Sequence, residues 1–203
     1  MISQTLLTVI IVLTLFSYGY ILIIYLISKD KESNKTGSEL ALKILDNDYE
    51  IKVIESKGKI LSTYSLKRKM IRLSTKTYYG KDYFSLYVAY ILSGYEIVRN
   101  KYTELISKIF QNIRVISFSV IIICLISIIT NNSIDSKFAI IASIIISAYQ
   151  YIIYNIQIKI KEEIKEIDKK ILAIFDKMLV INKLFFITSL IAILRFVIII
   201  LNI

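Results

Sequence analysis

The chain alternates long apolar runs with polar, basic segments. Residues 5–27 carry no charge, and as a helix rising 1.5 Å per residue they reach about 34 Å, enough to cross the hydrocarbon core of a bilayer. Three further apolar runs occupy residues 115–130, 138–158 and 184–203. This pattern predicts four transmembrane helices, of which the second and third form a hairpin over residues 115–157.

The polar segment over residues 36–110 predicts a small α/β domain on the cytoplasmic side. Thr36 or Ser38 is a suitable N-cap for a helix that follows at once. Three alternating segments, YEIKVIE, GKILSTYS and KMIRLST, are typical of strands. A short apolar helix follows in the stretch SLYVAYILSGYEIVRN, residues 85–100.

The second polar segment, residues 158–180, predicts an amphipathic helix. Isoleucines recur every three or four residues and lysines and glutamates fill most other places. The helix either lies on the inner leaflet or packs on the α/β domain, and packing is favoured because that domain needs a cover.

Composition and charge agree with a multi-pass protein of the cell membrane. The chain is 56% hydrophobic with a mean hydropathy of +0.63, more apolar than a soluble domain of 203 residues. Lys and Arg number 17 within residues 28–114 and 7 within residues 159–183, so the positive-inside rule places both segments in the cytoplasm and both termini outside. Topology and anionic lipid explain the net charge of +10, and nucleic-acid binding is not expected.

Few side chains are suited to catalysis. The chain has no His and a single Cys, Cys124, inside an apolar run, so nucleophiles activated by His are excluded. The carboxylates near residue 165 alternate with Lys and indicate a solvated helix face rather than a Mg²⁺ or Ca²⁺ site. Arg195 is a charge within the last apolar run; it either pairs with a polar group in the bundle or extends towards the terminal carboxylate.

The order of short motifs resembles the bacterial membrane-bound neutral zinc metallopeptidases of the HExxH type. After the first apolar run, TGSELALKIL at 36–45 matches a family motif of the form S/T-G-x-x-x-A-x-x-I-L. GKILSTY, a strand ending I-R-L-S, and a Y-x-G follow in the family's order. The Leu194–Arg195 pair in the last run also matches.

The resemblance implies a metal site that has lost its ligands. The family's A-x-H-E-x-G-H helix falls on residues 89–95, so Ile91, Leu92 and Tyr95 stand where the two His ligands and the Glu general base are expected. The family's third ligand, a Glu, falls on Gln157. A degenerate member without zinc or any other cofactor is therefore predicted.

The leading hypothesis is a pseudopeptidase that keeps the family architecture and acts by binding or regulation rather than hydrolysis. An extended peptide is expected in a groove beside the strand KMIRLST, by strand addition. Besides the lipid bilayer, the expected partner is a peptide or another membrane protein. The alternatives are a structural or partner-binding membrane subunit and, least favoured, an active membrane peptidase with unusual ligands. The groove is lined by Ile71, Leu73, Ser93 and Gly94.

Overall fold

The computed structural model describes residues 2–45, 52–58, 63–65, 70–100, 104–130, 136–164 and 167–201. The described chain is mostly helical and contains one small sheet. Its helices are α1 (Ile2–Ser28), α2 (Gly37–Leu45), α3 (Thr75–Tyr79), α4 (Tyr83–Asn100), α5 (Glu104–Ile129), α6 (Ser136–Glu163) and α7 (Lys169–Leu201). Its strands are β1 (Lys52–Ser56), β2 (Thr63–Ser65) and β3 (Met70–Ser74).

The chain divides into two compact units, each made of segments distant in sequence. The helical unit comprises Met1–Tyr20, Thr103–Asn155 and Leu179–Ile203. The α/β unit comprises Ile21–Tyr102 and Ile156–Met178.

The helical unit has an apolar core shared by α1, α5 and α6. The small side chains Ala139 and Ala142 lie within this core, as is common at helix interfaces in membrane bundles. Beside the core, the Gln150 Nε2 atom donates a hydrogen bond of 2.9 Å to Thr14 Oγ1, which joins α6 to α1. The buried core residues are Leu7, Ile10, Ile11, Val120, Ile121, Cys124, Ala139, Ala142 and Ile146.

The prediction of four transmembrane helices is wrong. Among the described residues, only Leu7–Ser28 and Lys137–Glu163 are long and apolar enough to cross a membrane. The second predicted span lies in α5, whose apolar part, Val115–Ser127, extends about 20 Å and is shorter than a hydrocarbon core of about 30 Å. Two apolar helices therefore support membrane association.

The last predicted span is not a separate helix, and the predicted amphipathic helix 158–180 is not continuous. Helix α6 ends at Glu163, and α7 begins at Lys169 and runs without interruption to Leu201. Asp168 caps α7, because its Oδ1 atom accepts a 2.9 Å hydrogen bond from the Lys170 N–H. The amphipathic pattern thus belongs partly to α6 and partly to α7. Arg195 lies in α7, and its side chain is outside the described ones.

The sheet of the α/β unit has the order β1-β3-β2. Strand β3 is central: it pairs in parallel with β1 and antiparallel with β2. Its side chains Ile71 and Leu73 are fully buried, whereas no residue of β1 is. The alternating segments thus predicted the strands, but not their order.

Local caps explain where α2 and α4 begin. Thr36 and Glu39 form a capping box: the Thr36 N–H donates to Glu39 Oε2 at 2.8 Å, and Thr36 Oγ1 accepts from the Glu39 N–H at 3.3 Å. The bond from the Thr36 N–H is the main reason that the pKa of the Glu39 carboxyl is lowered. Asp82 caps α4 by accepting from the Ser85 N–H at 2.9 Å. Thr36 therefore confirms the predicted N-cap of α2.

Candidate functional site

Helix α4 carries all three positions matched to the catalytic motif. Ile91, Leu92 and Tyr95 are each half-buried on this helix. The first and third are four residues apart and share a face, which is the geometry that an HExxH pair needs. Apolar side chains at the first two positions offer no atom to a metal or a proton.

Gly94 brings α4 into direct contact with the C-terminal end of α6. A Cβ atom built on Gly94 would lie 2.5 Å from Cγ2 and 3.0 Å from Cγ1 of Ile160, so only glycine allows this approach. Gln157, which matches the family's third ligand, is also buried and lies one helical turn before Ile160. Gly94 of α4 and Gln157 therefore both lie at the C-terminal end of α6.

We expect Gly94→Ala to destabilise the α/β unit by about 1–3 kcal/mol, because the added methyl group overpacks a fully buried isoleucine. Gly19→Ala is the matched control, since a Cβ at Gly19 meets nothing within 4 Å and alanine favours helix by up to about 1 kcal/mol. Denaturant unfolding of both variants in detergent measures the difference. Equal stability of the two variants would contradict the close contact between α4 and α6.

The same helix buries polar groups that sequence reasoning did not single out. Tyr90 is fully buried and packs edge-on against Phe175, with ring centroids 5.1 Å apart. Burial, and secondarily the negative charge of Asp176, raise the pKa of Tyr90. Glu96 is likewise fully buried, one residue after the motif. Its place in an otherwise apolar stretch of helix is the only signal in the sequence that could have drawn attention to it.

The predicted groove residues are covered by neighbouring elements. Ser93 is fully buried, Gly94 faces Ile160, and Ile71 and Leu73 belong to the central strand. Because β3 is already paired on both sides, its backbone is not free to receive a peptide. Both β1 and β2 are edge strands of this sheet. β1 is the longer of the two, with five residues against three, and its residues are exposed or half-buried.

One exposed polar arrangement stands beside β1. The Thr75 hydroxyl donates to Glu55 Oε1 at 2.9 Å, and the Tyr79 hydroxyl donates to Glu55 Oε2 at 3.1 Å. The hydrogen bond to Glu55, together with its negative charge, raises the pKa of Tyr79. A carboxylate is thus held in one orientation at the surface, with both oxygens accepting from neutral groups.

A separate cleft of about 590 Å³ lies between α2, the start of α4 and the segment before α7. Its floor is apolar, formed by Leu40, Leu86 and Ile171. Its rim combines acidic and basic groups, and Tyr83 Oη approaches Asp168 Oδ2 at 3.5 Å. The polar residues lining it are Glu32, Ser33, Asn34, Lys35, Lys43, Tyr83 and Asp168.

The described residues do not fit a zinc site. In that part of the chain no group of three or more His, Cys, Asp or Glu side chains is placed to hold a metal ion. The full sequence has no His, and Cys124 is buried in the core of the helical unit. Zinc sites in proteins use these side chains as ligands.

Comparison with known proteins assigns the family. A family model described as putative neutral zinc metallopeptidase matches residues 4–158, about three quarters of the chain. No curated protein and no solved structure gives a match. The match contradicts the prediction that the protein has no cofactor, because a family of zinc metallopeptidases points to zinc. With most of its length matched, the chain belongs to the putative neutral zinc metallopeptidase family.

Proposed function

We propose that this chain is a membrane-associated member of its family that binds extended peptides and does not hydrolyse them. The observation that carries the proposal is Leu92, which stands on α4 where the family resemblance expects the general base. Hydrolysis requires a group that takes a proton from the attacking water, and a leucine side chain has none. No His elsewhere in the chain can replace it.

The proposed peptide site is the outer edge of β1. Among the described strands, β1 pairs only with β3, so its other edge presents backbone N–H and C=O groups. Such an edge can add a further strand, in which main-chain hydrogen bonds supply affinity. The exposed side chain of Ile54 adds an apolar contact on this strand. We therefore propose that the peptide pairs with β1, and not in the predicted groove beside β3.

We infer the orientation from the distribution of cations. The basic segments 28–114 and 159–183 face the cytoplasm and the N-terminus lies outside, which requires α5 and α6 to enter and leave the membrane from the same side. Both basic segments contribute residues to the α/β unit, which includes Ile21–Tyr102 and Ile156–Met178. The two segments therefore lie on the same side of the membrane. The predicted outside location of the C-terminus depended on a fourth span and is not retained.

A second candidate function is a docking subunit for another membrane protein. It is favoured by exposed apolar side chains on the α/β unit, Leu42 on α2 and Ile54 on β1. Docking of a folded partner would use side chains, whereas strand addition uses backbone groups, and this difference separates the two functions.

Peptide backbone methylation should therefore block binding in a position-dependent way. The probe is a library of blocked heptapeptides rich in Val, Thr and Ser, presented to the full chain in nanodiscs of zwitterionic lipid. Two isomeric sets each carry three N-methyl groups, one set on residues 1, 3 and 5 and the other on residues 2, 4 and 6. Since alternate N–H groups of a strand face its neighbour, one set should bind roughly tenfold more weakly and the other only slightly so.

Fluorescence anisotropy measures these affinities. Equal affinity of both methylated sets, or no binding of the unmethylated library, would contradict strand addition. Retained capture of a folded membrane partner without peptide binding would instead support the docking subunit.

A further inference from the structure

We propose that Glu55, with Tyr79 beside it, recognises a basic side chain, arginine or lysine, of the peptide that binds along β1. This inference rests on the proposed function, because it names the class of peptide that the same edge selects. The experiment below separates failure of the inference from failure of peptide binding itself.

The carboxylate of Glu55 is oriented but not neutralised. Its two oxygens accept hydrogen bonds from the hydroxyls of Thr75 and Tyr79, at 2.9 and 3.1 Å. Neither donor carries a charge, and no cation in the described part of the chain forms an ion pair with Glu55. A carboxylate has about four acceptor positions, so both oxygens can accept further bonds from a guanidinium or an ammonium group.

An aromatic surface adjoins the carboxylate. Tyr78 and Tyr79 pack edge to face with ring centroids 4.9 Å apart, and Tyr79 is 59% exposed. An aromatic face within about 6 Å of a cation contributes roughly 0.5–1 kcal/mol at an exposed site. The carboxylate and the ring together therefore suit the side chain of arginine or lysine. They suit arginine best, because its planar guanidinium group both stacks on the ring and donates two parallel hydrogen bonds to the carboxylate.

The position of Glu55 relates the site to the strand edge. Glu55 is the fourth residue of β1, and the alternating side chains Val53 and Glu55 share one face of that strand. A peptide strand paired to β1 would place one of its own side chains next to Glu55 on that face, because directly opposed side chains of paired strands lie about 5 Å apart. The cation would then come from a fixed position in the peptide register.

The positive charge of the rest of the protein cannot explain a preference for an arginine side chain. The chain carries a net charge of +10, and Lys52 and Lys57 are exposed near the two ends of β1. General electrostatics therefore repel a basic peptide. A preference for arginine over an uncharged analogue requires a local carboxylate, and Glu55 is the one on β1.

The test compares two peptide libraries that differ only at the central residue, arginine in one and citrulline in the other. Citrulline has nearly the same shape but no charge. The full chain in zwitterionic nanodiscs should bind the arginine library roughly tenfold more tightly, as expected for a charge-assisted hydrogen bond. Glu55→Gln should reduce that ratio to about one, and Tyr79→Phe should reduce it about twofold to threefold. Glu162→Gln removes an equal charge from an exposed position on α6 and should keep the full ratio.

A wild-type ratio near one, or a ratio that persists in Glu55→Gln, would overturn the inference while citrulline binding still supports the proposed function. Absence of binding by both libraries would overturn the proposed function and the inference with it. Thermal melting of each variant verifies that it is folded, and Tyr79→Phe provides an independent readout if Glu55→Gln is not.

Discussion

Replacing Gly37 with alanine will strongly destabilise the α/β unit, by about 3 kcal/mol or more. An added Cβ would lie 2.1 Å from the carbonyl oxygen of Thr77 and 3.2 Å from its carbonyl carbon. These are backbone atoms of α3, so they cannot rotate away as a side chain would. The Gly37 N–H also donates to the Gly80 carbonyl at 3.0 Å, which fixes α2 against the end of α3.

Leu42→Ala is the matched control for this variant, because Leu42 lies on the same helix and is 56% exposed. We expect it to change the free energy of unfolding by about 0.5 kcal/mol or less. Denaturant unfolding monitored by circular dichroism measures both. A Gly37→Ala protein as stable as Leu42→Ala would show that α2 and α3 do not approach as described.

The same contact gives a physical reason for the motif TGSELALKIL. Gly37 allows α2 to meet α3, and Ala41, four residues later on the same face, is fully buried. A Cβ at Gly37 would also approach Ala89 of α4, at 3.5 Å. The two small residues therefore let α2 pack against the helix that carries the matched motif.

Installing the family motif on α4 should create a zinc site. We expect the variant Ile91→His, Leu92→Glu, Tyr95→His with Gln157→Glu to bind one more zinc ion per chain than the wild-type protein does. Two His four residues apart on one helix face reach a common ion, and the C-terminal end of α6 lies against α4 at Gly94 to supply the third ligand. Elemental analysis after dialysis against limiting zinc measures the gain.

The control for this variant places the two His at Ile91 and Leu92, so that they point to different faces of α4. It should gain no zinc. If the four-residue variant folds and also gains none, the motif is not in register with α4, and the assignment of Ile91, Leu92, Tyr95 and Gln157 as metal-site positions fails.

Local sequence signals predicted the starts of elements better than their ends. Thr36 and Ser38 were both predicted as suitable N-caps, and the structure shows Thr36 in that role, in a capping box with Glu39. The end of α6 at Glu163 was missed, because isoleucines keep the helical period across the break before Asp168. The number of spans was overestimated because an apolar run was equated with a span, although the apolar part of α5, Val115–Ser127, is too short to cross a membrane.

The candidate peptide site is formed by contacts between residues distant in sequence, and no local sequence pattern predicts such contacts. Alternation predicted β3 as a strand, but its central position arises from pairing with β1 and β2, which the sequence does not order. Glu55 meets Thr75 and Tyr79 across 20 and 24 residues of chain. Gly94 is an exception: the motif gave its position, and the structure gives Ile160 as its neighbour.

The claim that this protein binds peptides without cutting them is tested most directly by incubating the full chain in nanodiscs with the blocked peptide library and added Zn²⁺. Mass spectrometry of the mixture follows both the bound and the free peptides. We predict that bound peptides are recovered intact and that no cleavage products form above those in protein-free nanodiscs. Cleavage products that accumulate with time and disappear with a chelator would contradict the account.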